Sequence, residues 1–315
     1  MAEMDVVTGA FGYTGRYLTH CLTAAGRQVR TLTDHPRPDP GGQVAEVHPY
    51  RFDDPAALTE SLRGADTLYN TYWVRYTAAG TTYDQAVANS RLLVECAQRA
   101  GVRRIVHISI TNPAHDSFYA YYRGKAAVED AVRASGLSHA IVRPTVLFGE
   151  DDILVNNIAW LTRHFPVFAV PGDGRYRLRP VATADLAALC VRLGAGSDDV
   201  TTDAVGPESY AFEDLVRAVA AAAGTRCRIV HAPLRLVGLA LPLIGLLARD
   251  VVLTTDELRG LMAEYVHVDG EATCPTRLST YLSERGPHLG ARYQSELARR
   301  RPPAPSRRET SPSLP

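Results

Sequence analysis

Tyr121 and Lys125 stand four residues apart, so a helix brings both side chains onto one face. A phenol one turn from an ammonium group is a device for moving protons. The ordinary tyrosine pKa, about 10, is too high for easy exchange near neutrality, and a nearby cation stabilises the phenolate. Ser109, twelve residues upstream, ends an apolar run, Arg104 to Ile110, and can hydrogen-bond a substrate oxygen and polarise a carbonyl. Thr111 is its rival for that role. A tyrosine four before a lysine also arises by chance in helices, and Tyr119 and Tyr122 crowd the same stretch. The pair therefore needs a second feature to carry weight.

That feature lies in TGAFGYTGR, Thr8 to Arg16, with glycines at Gly9, Gly12 and Gly15. They fall between a short apolar strand, Asp5 to Thr8, and a helix running from Gly15 to Ala25. In a parallel sheet such a turn aims bare N–H groups and a partial positive charge at the crevice, where a pyrophosphate fits. Gly9 makes the turn, Gly12 lets phosphates approach the backbone, and Gly15 lets helix and strand pack closely. Phe11, Tyr13 and Thr14 complete the expected cofactor set at this turn. Asp34 lies nineteen residues after Gly15, past the strand Gln28 to Thr33. A carboxylate there holds ribose hydroxyls and repels a 2′-phosphate, favouring NAD over NADP. Arg16, His35 and Arg37 lie close in sequence and oppose that preference. Asn70, in the strand Asp66 to Tyr72, joins the cofactor set.

The elements that must position these residues follow from the apolar pattern. Further strands are expected at Val44–Phe52 and His139–Val142, with helices at Pro55–Arg63, Tyr83–Ala100 and Tyr121–Ser135. Strands separated by helices imply parallel crossovers and a Rossmann-type, doubly wound α/β sheet. After Gly149 the rhythm breaks into helices near Ile153–His164, Ala184–Leu193, Phe212–Ala223 and Thr255–Glu264. The expected division is a dinucleotide-binding region over residues 1–149 and a smaller C-terminal substrate-binding region over 150–298, some segments of which return to the sheet. A Pro-, Arg- and Ser-rich tail, 299–315, is expected to be disordered. In the second region Asn156, Asn157, Trp160 and Arg177 are substrate candidates.

Composition narrows the partners. Of 315 residues, Lys+Arg and Asp+Glu number 34 each, so no net charge favours nucleic acid. Five scattered cysteines, with no CxxC pair, argue against a disulfide framework and against a metal site. No signal peptide is read at the start, and the apolar stretch Leu234–Leu247, broken by Arg235 and Pro242, is too short to span a membrane. It reads as a buried or substrate-facing helix pair. A cytoplasmic protein acting on a small molecule is expected.

Taken together, the GxxGxxG turn, the YxxxK pair, the stretch IVRPTVLFG (Ile141 to Gly149) and PGDGRYRLRPVATADLA resemble the short-chain dehydrogenase/reductase superfamily. They are similar in particular to its extended and atypical members: NAD(P)-dependent epimerase/dehydratases, NmrA-like proteins, and the bacterial branch similar to the mitochondrial complex I accessory subunit of this fold. The resemblance implies that the segment Arg143-Pro144-Thr145 lines the nicotinamide, that Lys125 holds its ribose, and that Tyr121, Lys125 and Ser109 are catalytic. It implies an NAD(P)-dependent reductase or dehydrogenase acting on a carbonyl or alcohol by hydride transfer. Two alternatives stay open: a redox sensor or accessory protein that binds the dinucleotide without turnover, and an epimerase/dehydratase with tightly held NAD. A homodimer is also raised, with no face marked for it in the sequence. The chain departs from the pattern in its short Ser109–Tyr121 spacing, in Arg51-Phe52 at the third strand end, and in Ala182 where a histidine is usual.

Overall fold

The structure is a computed structural model, and it describes residues 3–39, 41–75, 81–239, 245, 255–295 and 297–298. Its centre is β1, Met4–Thr8, a strand buried from Asp5 onward. β2 (Gln28–Leu32) pairs with it on one side and β4 (Ala65–Asn70) on the other, both parallel. β3 (Glu46–His48) lies beyond β2. β5 (Arg104–Ile108), β6 (Ser138–Pro144) and, late in the chain, β11 (Val200–Ala204) extend the other wing. The seven strands run in the order β11-β6-β5-β4-β1-β2-β3, parallel throughout.

Strands buried on both faces need helices on both, and the apolar pattern supplies them. Leu18 and Leu22 of α1 (Tyr13–Ala24) pack with Leu186 and Cys190 of α6 (Thr183–Gly194) against Val7 and Val106. On the opposite face α2 (Pro55–Leu62), α3 (Tyr83–Ala100) and α4 (Ala120–Ala134) cover Val6, Leu68 and Ile105. A separate core joins α5 (Leu154–His164), α7 (Phe212–Ala222) and α9 (Leu278–Arg285) through Ile158, Leu215, Val219 and Leu282. It carries three two-stranded pairs: β7 (Leu147–Phe148) with β10 (Val181–Ala182), β8 (Val167–Pro171) with β13 (Arg228–Ala232), and β9 (Arg177–Leu178) with β12 (Tyr210–Ala211).

Two strand expectations change. The strand expected over Val44–Phe52 shrinks to Glu46–His48, because Pro49 has no N–H to continue an edge ladder. The strand expected to end at Val142 continues to Pro144, because β11 pairs with it as far as Ala204 opposite Pro144. Of the apolar stretch Leu234–Leu247, residues 234–239 are helical, while 240–244, 246 and 247 lie outside the described residues, as does the tail 299–315. Among the described residues no helix is long and apolar enough to cross a membrane. Nor is any group of three or more His, Cys, Asp or Glu placed to hold a metal ion.

Candidate active site

The carboxyl ends of β1, β4, β5 and β6 meet at one edge of the sheet, and the glycine turn lies there. Gly9 takes φ +67°, a conformation costly for other residues, and its N–H donates to the Leu32 carbonyl at 2.8 Å. The Gly12 N–H turns back onto the Gly9 carbonyl at 2.8 Å, and Ala10 N donates to Thr31 Oγ1 at 3.0 Å. A Cβ on Gly15 would stand 2.0 Å from the Gly9 oxygen, so only glycine lets α1 start this close to the strand. α1 begins with no side-chain cap and no acidic residue in its first turn. Beside it is a small cavity of about 190 Å³ lined by Phe11, Gly12, Tyr13, Arg16, Arg37 and Gln294, with Asp151 bound to Arg16 at 3.1 Å. An uncapped helix start with two guanidinium groups at its mouth has the donor chemistry of a diphosphate site.

The flanking candidates divide. Asp34 is exposed at the end of β2, and its Oδ1 accepts the Tyr50 N–H at 3.1 Å. Asn70 is fully buried and spent internally: Oδ1 accepts Tyr72 N at 3.0 Å and Nδ2 meets His107 Nδ1 at 3.2 Å. Its amide ties β4 to β5. Thr145 lines the large cavity described next, its hydroxyl donating to the Arg179 carbonyl. Pro144 is buried behind it, its carbonyl accepting Thr111 N at 3.2 Å.

A second cavity, about 540 Å³, opens from Tyr13 and Thr14 and runs to Phe212. Tyr121 lines it. The Tyr121 ring meets Trp73, Tyr83 and Tyr122 edge-on at 5.8, 5.9 and 5.5 Å. Lys125 is 3% exposed; its Nζ donates to the Ile108 carbonyl at 2.9 Å and sits 4.7 Å over the Trp73 ring. Burial lowers its pKa to about 7, against an opposing pull from Glu129.

Here the expected electrostatics are corrected. Burial raises the Tyr121 pKa above its ordinary value, helped by Tyr122 and Glu257, and the cation that opposes the rise is Arg75 rather than Lys125. The physical reason is direction: the ammonium group is engaged by the Ile108 carbonyl and the Trp73 face. The phenol is thus held protonated.

Ser109 is buried on the side of β5 that faces α4, beside the Glu129 carboxylate, and is not among the residues lining the cavity; its neighbour Ile110 is. Thr111 is fully buried and donates to the Tyr265 carbonyl at 3.0 Å. Glu129 is the hub behind the site. Arg143 grips it twice, Nε at 2.8 Å and Nη2 at 2.5 Å, and Arg133 Nη2 adds a contact at 2.7 Å. Burial pushes the Glu129 pKa up, but Arg143, Ser109 and Arg133 together outweigh it and hold the carboxyl below its usual value.

Of the substrate candidates, Asn157 lines the large cavity, while both ends of its amide pair with the Gln294 backbone at 3.1 and 2.8 Å. Asn156, Trp160 and Arg177 lie elsewhere. Asn156 accepts Gly290 N at 3.3 Å, Trp160 stacks on His164 at 4.3 Å, and Arg177 pairs with Glu264 at 3.0 Å. Residues that shape the site without having been singled out are Trp73, Tyr83, Arg75 and Glu257. The aromatic run Tyr72-Trp73 directly after a strand end was the available signal.

A parallel, doubly wound sheet with this glycine turn defines a dinucleotide-binding protein of the Rossmann class. The chain belongs to the NAD(P)H-binding family, whose pattern matches residues 9–194. Its cofactor class is therefore NAD(P), and the glycine cradle and guanidinium pair fit that group. A plant mitochondrial complex I protein, NADH dehydrogenase [ubiquinone] 1 alpha subcomplex subunit 9 of Arabidopsis thaliana, is 26% identical over 66% of this chain and 55% of its own length. The chain spans 55% to 61% of the length of the complex I relatives from Arabidopsis thaliana and Dictyostelium discoideum. The (4-alkanoyl-5-oxo-2,5-dihydrofuran-3-yl)methyl phosphate reductase of Streptomyces griseus is 30% identical, covering 65% of this chain and 69% of its own. The solved structure of Citrobacter sp. triphenylmethane reductase complexed with NADP(H) shares the fold, at a TM-score of 0.73 and 16% identity over 90% of this chain and 99% of that one.

Proposed function

We propose that the chain is an NAD(P)-dependent reductase acting on the carbonyl of a small organic molecule. The observation that carries this reading is Tyr121. Its ring lines the cavity that leads on from the glycine turn, its environment keeps the phenol protonated, and Lys125 follows one helical turn later. The bound dinucleotide would supply a hydride equivalent to the carbonyl carbon. The phenol of Tyr121 gives its proton to the oxygen as negative charge builds there, which suits a group that is already protonated. Lys125 anchors the far side of the helix turn to β5 through the Ile108 carbonyl and presents a charge whose burial makes it easy to lose. Gly9, Phe11, Gly12, Tyr13, Thr14 and Gly15 hold the diphosphate, with Asp34 at the ribose and Pro144 and Thr145 beside the nicotinamide. With a phenol rather than a phenolate in place, reduction is favoured over alcohol oxidation.

Binding without turnover is the rival, and one observation favours it: neither Ser109 nor Thr111 is among the residues that line the cavity, and the Thr111 hydroxyl is spent on the Tyr265 carbonyl. Replacement of Tyr121 by Phe separates the two. The reductase reading expects dinucleotide oxidation with carbonyl substrates to fall about 10²- to 10⁴-fold. Carbonyl-dependent oxidation that is absent in the wild type, or unchanged in the variant, would reject it.

A further inference from the structure

Resting on the reading of Tyr121 as proton donor, we infer that the substrate is an uncharged, lipophilic carbonyl compound whose apolar chain fills the part of the 540 Å³ cavity beyond Thr14 and Thr145, between α5, α7 and the Phe168 strand, and that anionic substrates such as nucleotide sugars are excluded. The walls carry the argument. Leu154, Ile158 and Leu161 of α5 face Phe168 of β8, Phe212 of α7 and Leu261 of α8 (Thr255–Met262) across the cavity. The uncharged polar groups that line it are phenols, Tyr119, Tyr121 and Tyr122 among them, the Thr14 hydroxyl at its glycine-turn end, and the Thr145 hydroxyl and Asn157 amide, both already engaged.

Charge decides between ligand classes. Among the described lining residues the ionised groups are Arg75, Asp256 and Glu257, one guanidinium against two carboxylates. Arg75 is bound to Glu257, so the lining cation is committed to a lining anion. A diphosphate or carboxylate entering here would be desolvated beside two carboxylates, and among the described lining residues no cation is left over to receive it. The guanidinium groups Arg16 and Arg37 lie instead at the small cavity by the α1 N-terminus, which the dinucleotide takes. A neutral chain meets no such penalty and gains from each methylene removed from water, about fourfold in affinity per buried CH₂.

The test uses the full chain saturated with its oxidised dinucleotide, titrated calorimetrically with 2-hexanone, 2-nonanone and 2-dodecanone, then with dodecanoate and UDP-glucose. The expected result is tightening of about three- to fourfold per methylene along the ketones until the cavity fills. Dodecanoate should bind at least about tenfold more weakly than 2-dodecanone, and UDP-glucose should give no saturable heat. Leu154→Glu, or Leu161→Glu should the first variant not fold, should weaken 2-dodecanone about tenfold or more while the dinucleotide still binds. A flat ketone series, or dodecanoate or UDP-glucose binding as tightly as the ketone, overturns the inference. Failure of the dinucleotide itself to bind is a different result: it rejects the functional reading, and the same ketone series without dinucleotide still decides the character of the cavity.

Discussion

Lys125 is buried with its ammonium on a carbonyl and an aromatic face, and burial draws its pKa down to about 7. The sign of the consequence is fixed. Between about pH 7 and the unfolded lysine pKa of about 10.4, the unfolded chain holds the proton and the folded chain does not, so this residue's contribution to stability rises with pH across that window. In a comparison of wild type with Lys125→Met by thermal melts, the wild type should gain relative to the variant between pH 7 and 10. Glu129, gripped by Arg143 and Arg133, is the other sensitive residue. Glu129→Gln leaves two guanidinium groups short of charge, and we expect a loss of about 2–4 kcal/mol in denaturant unfolding. Neither effect could be read from residue spacing alone. The helical period puts Tyr121 and Lys125 on one face, but which way a lysine turns depends on Ile108 and Trp73, which come from two other segments.

The glycine turn shows what local sequence does specify. A short apolar strand, three glycines and a helix are adjacent in the chain, so the turn was legible before any contact was known. Gly26 and Gly101 take φ +77° and +75° just past α1 and α3, a conformation that ends a helix cheaply only at glycine. Gly15→Ala is the direct check: its Cβ would strike the Gly9 carbonyl, and NAD(P)H affinity should drop roughly tenfold or more by fluorescence titration. Ser109 was less legible, though alternation along β5 held a signal. Ser109 shares its side of the strand with His107, which is buried against α4 and Asn70, whereas Ile110 takes the opposite side and lines the cavity. The short pairing of β3, ended by Pro49, and the extension of β6 by β11 were lost for a related reason. Strand length is set by the partner strand, and β11 arrives about 60 residues later.

At the scale of the molecule, the parallel sheet provides the dinucleotide edge and the later helices close a cavity over it. That cavity is drawn from segments as far apart as Tyr13 and Val266, and this is why composition could suggest an apolar surface but not its place or its charge. Because only the folded chain has the glycine cradle, a saturating dinucleotide at about 100 times its Kd should add about 2.7 kcal/mol and raise the melting temperature by roughly 5 °C. The two dinucleotides can be ranked by the same melt: the proposal that Asp34 holds the ribose predicts the larger shift with NADH. The central claim is that Tyr121 is the proton donor of a carbonyl reductase. It is tested most directly by measuring dinucleotide affinity and 2-dodecanone-dependent dinucleotide oxidation side by side in wild type and Tyr121→Phe. The account predicts unchanged dinucleotide affinity with turnover lowered about 10²-fold or more; equal turnover in the two proteins would contradict it.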